Sequence, residues 1–592
     1  MTVDHMIKRA SDLEMYLGDP HEPAGPMNFE QILRMDEHEV YPYELVGLLQ
    51  RWGLHEYCLP AEHGGQAGDV EVGYNLLRLV ARRDPTTATT MMLSLLAVMP
   101  VWIGGTREQL QRFVNDLMRG TKMAWGLSER RHGSDVLANE TRAERVDGGF
   151  LITGEKDLIG NATVADVVLL QARTGERGGP GDWSVFAVRK RACPAGSIVE
   201  LPNEELHGLR GLDLSGIRLD RVFVPDEDLI GPVGAGLELI LKSSQVARTT
   251  VTGMALGLVD TALRVTCDFA VGRRIFGQTV AEIPNSRRQL AESFADMLLA
   301  EAVCTGAVRG LQANYGQVSI FSSVVKYFVP TLLDQTMSRL SVLLGARLYL
   351  RSHPHYGIFQ KMLRDLPVAN FADGNTQVNL KNIVASLDLL LSTADGGGAG
   401  SADARARVAM MFDLDAELPV WEPRRQRLYT RDGDDTVAQL PSSIRALRDL
   451  AVDQADPHQR IWFDLAADLA ERLLGELHRM REQVGRVKRR HGSDRGNAAE
   501  LFVVAEQYCA LHAAAAAVHL VAFSHPVLAD PLPDGAVLLT VLHRVWQMFH
   551  PTDVVDTAVH DRAVEVLLDL HRERRLFSHW QFEVQASPGS GT

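Results

Sequence analysis

The sequence predicts a mainly α-helical protein with one central β region. Two observations support this fold class. Apolar residues recur at helical spacing up to about residue 120 and again from Gly236, whereas residues 121–233 contain short apolar runs separated by glycine-rich turns. The order along the chain is therefore helical, β, helical, linker, helical. A chain of 592 residues is too long for one ordinary domain and is expected to form several compact units.

The chain divides into five predicted segments. The composition of residues 393–403, TADGGGAGSAD, is typical of a flexible linker, and the region beyond it again has helical spacing. The predicted segments are an N-terminal helical domain (1–120), a β domain (121–235), a helical-bundle domain (236–392), a linker (393–404) and a C-terminal helical extension (405–592).

Composition and charge exclude several function classes. The chain is 46% hydrophobic and 23% charged, as in globular proteins, and its net charge of −14 makes nucleic acid an unexpected partner. Five widely spaced cysteines and twenty histidines without metal-binding spacing predict neither disulfides nor a metal site, and they favour a cytoplasmic protein. The N-terminus lacks the apolar region of a signal peptide, and we expect no membrane span.

The β region opens with the most informative stretch of the sequence. Residues 123–128 form a strand-length run, and residues 129–135 form a polar turn that contains Gly-Ser. The chain returns through residues 139–146 and, after the turn Asp147-Gly-Gly, continues through residues 150–153. Strand edges and a Gly-Ser turn can offer N–H and hydroxyl donors to an anion or to the rim of a ring. This stretch is therefore predicted to hold a planar cofactor.

Five motifs, in this order, resemble those of the acyl-CoA dehydrogenase superfamily. They are Trp125-Gly-Leu-Ser-Glu with Gly133-Ser-Asp, then Gly154-Glu-Lys-Asp-Leu-Ile-Gly-Asn, residues 207–231, Arg273-Arg-Ile-Phe-Gly, and Arg364-Asp with Asp373-Gly-Asn-Thr-Gln. The resemblance covers about the first 390 residues. It implies FAD as the cofactor and the family's fold of a helical domain, a β-barrel-like domain and a four-helix bundle. The extra C-terminal helical domain would be added to that fold.

The resemblance also implies the residues that bind cofactor and substrate. The implied cofactor-binding residues are Trp125, Leu127, Ser128, Gly133, Ser134, Leu158, Ile159, Gly160, Arg273, Phe276, Asn375 and Gln377. The implied substrate-binding residues are Ser134, Arg248, Asp373 and Gly374. In relatives the arginine that matches Arg273 reaches the FAD of a neighbouring subunit, which implies a homo-oligomer, either a dimer or a tetramer.

Asp373 is the implied catalytic base. In dehydrogenases of this family a glutamate at that position removes the α-proton of an acyl thioester, while a hydride leaves the β-carbon for flavin N5. Removal of this weakly acidic proton requires a positioned carboxylate and donors for the developing enolate oxygen. Aspartate reaches about 1.5 Å less far than glutamate, which lowers the rate unless backbone or substrate compensates. Desolvation would raise its pKa toward a useful value.

Three departures from the family pattern predict a looser and less polar FAD pocket. Leu158 stands where relatives carry a tryptophan, and Gly160 replaces a neighbouring threonine. Val342 replaces a glutamine ahead of Gly345-Ala-Arg, where relatives contact the cofactor across the subunit interface.

Each of these residues also has a structural interpretation. Asp373 could be an N-cap or turn residue, and Gly133-Ser could be a plain turn, since Gly-Ser-Asp recurs at Gly492. Arg273 could be a solvated helix end. Arg248, placed twenty-five residues before it as in relatives, could be exposed, and Trp125 could be a core aromatic.

The C-terminal extension contains a basic stretch at residues 479–495. We interpret it as a solvated helix face with a structural role. The functional alternatives are docking of an acyl-carrier protein, a CoA phosphate, a membrane surface or DNA.

The leading function hypothesis is FAD-dependent α,β-dehydrogenation of an acyl thioester carried by CoA or an acyl-carrier protein, with the electron acceptor left open. One alternative on the same fold is a flavin oxidase or monooxygenase, because nitroalkane oxidases of this superfamily resemble the chain in using an aspartate base. The other is a catalytically weakened flavoprotein with a binding role.

Overall fold

The computed structural model describes residues 3–66, 68–394, 401–528, 530–554 and 556–585. The helices are α1 (Val3–Leu17), α2 (Phe29–Glu37), α3 (Tyr43–Trp52), α4 (Val70–Arg83), α5 (Pro85–Ala97), α6 (Met99–Gly104), α7 (Arg107–Met118), α8 (Gly236–Thr250), α9 (Thr252–Gly272), α10 (Pro284–Ala313), α11 (Val318–Leu344), α12 (Gly357–Asp365), α13 (Val368–Phe371), α14 (Thr376–Thr393), α15 (Ser401–Phe412), α16 (Asp435–Ala438), α17 (Leu440–Asp453), α18 (Pro457–His491), α19 (Ala499–Ser524), α20 (Gly535–Phe549) and α21 (Thr557–Arg572). The strands are β1 (Met123–Gly126), β2 (Arg142–Val146), β3 (Gly149–Gly160), β4 (Val167–Arg173), β5 (Trp183–Arg189), β6 (Ile198–Leu201), β7 (Leu214–Pro225), β8 (Leu229–Ile230), β9 (Arg274–Ile275) and β10 (Gln278–Thr279).

The chain forms two compact units. The sheet unit contains Arg34–Ala247 and Val420–Leu428, and the bundle unit contains Met1–Leu33, Arg248–Pro419 and Tyr429–Thr592. These units group the chain by contacts, so their limits differ from the predicted segment boundaries.

The sheet unit is built on one mostly antiparallel sheet. Its strand order is β6-β7-β3-β2-β4-β5-β8, and β1 pairs in parallel with β4. The predicted hairpin is present, because β2 and β3 pair in register from Arg142↔Thr153 to the turn at Val146↔Gly149. All residues of β4 and β5 except the last of each are buried, which explains why their sequences read as continuous apolar runs rather than alternating ones.

Two aspartates begin the neighbouring helices of this unit. The carboxylate of Asp69 accepts from the N–H of Glu71 at the start of α4. Asp84 accepts from the N–H of Thr87 at 3.0 Å, and Pro85 occupies the first turn of α5, where a missing N–H costs nothing.

The bundle unit is organised around the 30-residue helix α10. This helix packs against α9 and α11, and also against α15, α19, α20 and α21 of the predicted extension. The carboxylate of Asp296, which is fully buried, accepts from Nη1 of Arg339 at 2.9 Å and from Nε of Arg544 at 2.8 Å. The extension is therefore part of the same compact unit as the bundle.

The predicted linker is partly helical. Helix α14 continues to Thr393 and α15 begins at Ser401, so both ends of the predicted segment 393–404 lie in helices. Its middle, residues 395–400, lies outside the described residues.

We predicted that no apolar run is long enough for a membrane span, and this prediction was wrong, because two helical stretches have the length and composition of a membrane span. Two helical stretches, Pro85–Gly104 and Ala499–Ser524, are long and apolar enough. However, 83% and 78% of their most apolar windows are buried inside the protein. Core helices pass the same test, so these stretches are weak evidence for membrane insertion.

Candidate functional site

The predicted base lies in a tight turn of the bundle unit. Asp373 follows α13 and precedes α14, with a φ of 55°, and Gly374 has a φ of 92°. Few residues other than glycine adopt this left-handed conformation, and aspartate is among those that tolerate it. The N-cap of α14 is Asn375, whose side chain accepts from the N–H of Val378 at 2.9 Å. Asp373 is therefore not the N-cap of α14, whereas its position agrees with the turn interpretation; a positive φ in a residue other than glycine occurs both in turns and at functional sites.

Arg248, at the end of α8, contacts this turn directly. Its Nε donates to the carbonyl oxygen of Asp373 at 3.0 Å. A Cβ built on Gly374 would lie 2.9 Å from a guanidinium nitrogen of Arg248, so a larger residue here would have to displace that side chain. The structure thus brings together three of the four predicted substrate residues, and the fourth, Ser134, belongs to the sheet unit.

The Asp373 carboxyl has a perturbed proton affinity. Desolvation by the surrounding protein raises its pKa above the ordinary value, although the charges of Lys326 and Arg248 act to lower it. The residue as a whole is exposed, so solvent reaches the side chain even though protein atoms crowd its surroundings. Burial and the two nearby cations therefore act in opposite directions on the pKa of this carboxyl.

Sequence reasoning missed Lys326. This residue of α11 is fully buried, and its Nζ donates to the carbonyl oxygen of Ala369 in α13 at 2.6 Å. Desolvation lowers its pKa to about 8, Asp373 opposes that shift, and Arg248 adds to it. The sequence does contain one indication of its burial, since Lys326 stands as a single lysine inside the apolar run 324–333.

In the sheet unit, the segment predicted to meet the flavin follows β1. Trp125, Leu127 and Ser128 are half-buried. The carbonyl oxygen of Leu127 accepts from the side chain of Asn139 at 2.8 Å, and that of Ser128 accepts from the N–H of Asp157 at 3.1 Å. These bonds fix the backbone of the segment.

A buried ion pair beneath this segment was also missed. Lys156 is fully buried, and its Nζ lies 2.8 Å from Oε1 of Glu129. Burial lowers the pKa of Lys156 to about 8, against the attraction of Glu129. Desolvation acts to raise the pKa of Glu129, but Lys156 and hydrogen bonds from Thr141 and the N–H of Glu140 hold it below its ordinary value.

The remaining predicted residues of the sheet unit differ in exposure. Gly133 and Ser134 are exposed beyond a turn closed by two backbone hydrogen bonds, so the cofactor and plain-turn interpretations both stay open. Leu158 has a φ of 56° at a register shift between β3 and β7, and it is 54% exposed. Ile159 instead packs in the hydrophobic core, so the prediction for Ile159 can hold for its backbone only.

Gly160 is explained by close packing. A Cβ at this position would lie 2.5 Å from Cδ1 of Leu93 on α5. Relatives carry a threonine at this position, whereas here the side chain of Leu93 occupies the space that such a side chain would fill.

A cavity of about 360 Å³ in the bundle unit joins two predicted motifs. Helix α9 ends before Arg273, which lines the cavity together with Val342, Gly345, Ala346 and Arg347. The helix-end interpretation of Arg273 and its cofactor interpretation are thus compatible. Phe276, in the turn between β9 and β10, is 94% exposed, and Asn375 and Gln377 lie at the start of α14.

Three domain models of one family match the chain in order. They are the N-terminal domain of acyl-CoA dehydrogenase at residues 29–121, the middle domain at 124–222 and the C-terminal domain at 234–387, together more than half of the sequence. The chain belongs to the acyl-CoA dehydrogenase family. Its fold class is confirmed, and it is placed among oxidoreductases.

Relatives of this acyl-CoA dehydrogenase family member differ in how much of the chain they cover. Cyclohex-1-ene-1-carbonyl-CoA dehydrogenase of Geobacter metallireducens is 26% identical over 352 residues, 58% of this chain and 90% of the relative. An acyl-CoA dehydrogenase complexed with FAD from Bacillus anthracis is 17% identical with a TM-score of 0.69, and the match covers 97% of this chain and 98% of that one. The prolyl acyl carrier protein oxidase AnaB is 19% identical with a TM-score of 0.58, over 65% and 98% of the two chains.

Proposed function

We propose that this acyl-CoA dehydrogenase family member is a cytoplasmic, FAD-dependent dehydrogenase of acyl thioesters and works as a homo-oligomer. The single observation that carries the proposal is Asp373, held in a strained turn against Arg248 with a raised pKa. The names of its relatives support a thioester substrate, because they include a CoA thioester dehydrogenase and an oxidase of an acyl-carrier protein. The carrier is either CoA or an acyl-carrier protein.

The chain's own surface fits FAD at two places. In the sheet unit the apolar side chain of Leu158 is exposed near the end of a long strand, where a ring could cover it. In the bundle unit Arg273 and the turn at Gly345 line a cavity large enough for part of a nucleotide. Ser128 and Leu158 would hold the flavin, and Arg273 with Gly345 would hold the cofactor of a second copy. When bound, FAD supplies the acceptor for the hydride that leaves the β-carbon as the double bond forms.

The chain's residues provide the proton chemistry. The Asp373 carboxylate accepts the α-proton of the thioester, and its raised pKa makes it a stronger base than an ordinary aspartate. No described group accepts from the N–H of Asp373, so this donor is available for the developing enolate oxygen. The bond from Arg248 to the carbonyl oxygen of Asp373 holds the turn in place.

The test is Asp373→Asn, followed by anaerobic flavin reduction with a panel of acyl thioesters. Loss of the base should slow reduction by about 10²–10⁴-fold. Asp388→Asn is the matched control, because Asp388 lies on α14 and pairs with Lys488 in the extension, away from the turn. Unchanged reduction in Asp373→Asn would exclude this residue as the base.

A flavin oxidase is the second candidate, favoured by the aspartate base and the similarity to an acyl-carrier-protein oxidase. Rapid oxygen consumption with release of peroxide during turnover would select it over the dehydrogenase. A bound flavin that no thioester reduces would instead support the weakened flavoprotein with a binding role.

For the basic stretch of the extension we propose a structural role. Arg481 donates from Nη2 to the carbonyl oxygen of Leu391 at 2.8 Å, and Lys488 lies 2.6 Å from a carboxylate oxygen of Asp388. These bonds tie α18 to α14 within the bundle unit. Salt-dependent binding of the full-length protein to DNA or to anionic lipid vesicles would overturn this proposal.

A further inference from the structure

Helix α11 is hydrogen-bonded to two adjacent residues of α13, Ala369 and Asn370, which lie just before the turn that contains Asp373. Nζ of Lys326 donates to the carbonyl oxygen of Ala369 at 2.6 Å, and the side-chain amide of Asn370 donates to the carboxylate of Asp334. Lys326 and Asp334 are about two helical turns apart on α11. Both bonds reach α13, which ends at Phe371, so they set the position from which the chain enters Asp373.

A lysine is a costly choice for this task. Its ammonium is fully buried, and burial lowers its pKa to about 8. A neutral donor would satisfy Ala369 without that cost. The described carboxylate whose charge stabilises the ammonium is Asp373, so the buried charge and the base are electrostatic partners.

Two cations therefore act on the carboxyl of the base. They are Lys326 on α11 and Arg248 on α8. The carboxylate of Asp334 faces Asn370 and is not part of this set. Arg248 is half-buried and bonded to the backbone of the turn, which leaves Lys326 as the enclosed charge.

We propose that Lys326 is a positioning residue for Asp373: it holds the turn through Ala369 and supplies the positive charge that keeps the carboxylate ionised before proton transfer. The inference rests on the proposed function, in which Asp373 is the base. Desolvation by itself disfavours the ionised carboxylate, which is the form that accepts a proton. The ammonium offsets that effect without itself touching the substrate.

The first measurement is the rate of anaerobic flavin reduction against pH in Lys326→Met, Lys326→Arg and wild type. Without the cation, the acidic limb of the profile should move up by about one pH unit, whereas arginine should keep it in place. Lys361→Met is the matched control. Lys361 is an equally buried lysine of the bundle unit, and its Nζ lies 2.6 Å from Asp365 rather than Asp373, so its loss should leave the limb unmoved.

The second measurement does not use catalysis. A double-mutant cycle measures the coupling between the two charges. It compares the Tm values of wild type, Lys326→Met, Asp373→Asn and the double variant. We expect a coupling of about 1–2 °C in Tm at pH 7, which shrinks as the pH falls and the carboxyl is protonated. If Lys326→Met does not fold, Lys326→Gln, which keeps a donor for Ala369 but no charge, takes its place in both measurements.

The outcomes separate the inference from the proposed function. A rate that falls equally at every pH, with no coupling in the cycle, would show that Lys326 only supports the backbone and would overturn the inference. If no thioester reduces the wild-type flavin, the proposed function fails, and the thermal cycle still decides whether the two charges are coupled.

Discussion

Replacing Glu129 by glutamine would leave the buried ammonium of Lys156 without its carboxylate. Lys156 is fully buried, and Glu129 is the carboxylate within ion-pair distance of it in the described chain. Glutamine keeps an oxygen that can accept from Thr141, but its NH2 group cannot accept from the N–H of Glu140, so the change removes one negative charge and one hydrogen bond. Breaking a buried pair by removing one partner costs about 3–5 kcal/mol.

The free energy needed to deprotonate Lys156 sets an upper limit to this cost, because a neutral lysine can remain buried without its partner. An unfolded lysine has a pKa of about 10.4, so deprotonation costs about 4.6 kcal/mol at pH 7 and about 1.9 kcal/mol at pH 9. The destabilisation by Glu129→Gln should therefore be about 3–5 kcal/mol at pH 7 and no more than about 2 kcal/mol at pH 9.

Pulse proteolysis in urea, with fragments from β2 and β3 quantified by mass spectrometry, measures this local stability at both pH values. The control is Asp226→Asn, which breaks a pair with Arg145 whose side chains are 58% and 48% exposed. That loss should cost no more than about 1 kcal/mol. A cost for Glu129→Gln below about 1 kcal/mol, or one equal at pH 7 and pH 9, would refute the buried-charge reasoning.

Three further predictions concern single positions. Because burial raises the folded-state pKa of Asp373 above its unfolded value, its ionisation costs stability as the pH rises; the Tm of Asp373→Asn relative to that of wild type should therefore be higher at pH 8 than at pH 5, and an equal difference at both pH values would contradict the raised pKa. Gly160→Thr should cost about 1–3 kcal/mol in a urea titration, because its Cβ meets Leu93, and Leu93→Ala in the same chain should restore most of that loss. Gly374→Ala should cost about 1–3 kcal/mol by the same titration, since the residue has a φ of 92° and packs on Arg248; wild-type stability would contradict the close approach.

Local patterns predicted the strands well. The predicted strands correspond to β1, β2 and the start of β3; they are residues 123–128, 139–146 and 150–153. They could be predicted because strand length and turn composition depend on residues that are neighbours in sequence. The continuation of β3 to Gly160 was not predicted. Its shape depends on register shifts against β7, which begins more than fifty residues later, and no local pattern contains that information.

The site was predicted only in part for a similar reason. Asp373 and Arg248 were found by motif and spacing, and the structure joins them through a hydrogen bond. Lys326 and Lys156 were missed because lysine is normally exposed, and only tertiary packing shows that these two are enclosed. The extension was predicted as helical, but its packing against α10 could not be derived from helical spacing alone.

The packing of the extension also sets the order in which this protein can fold during synthesis. Asp296 on α10 accepts from Arg544, 248 positions later, and Glu301 accepts from the N–H of His579, 278 positions later. The partners of two buried carboxylates of the central helix therefore leave the ribosome 248 and 278 residues after those carboxylates. A nascent chain that ends after α14 cannot complete this core, so the bundle unit is expected to fold slowly, only after the extension has been synthesised, and to need protection of its unfinished core until then.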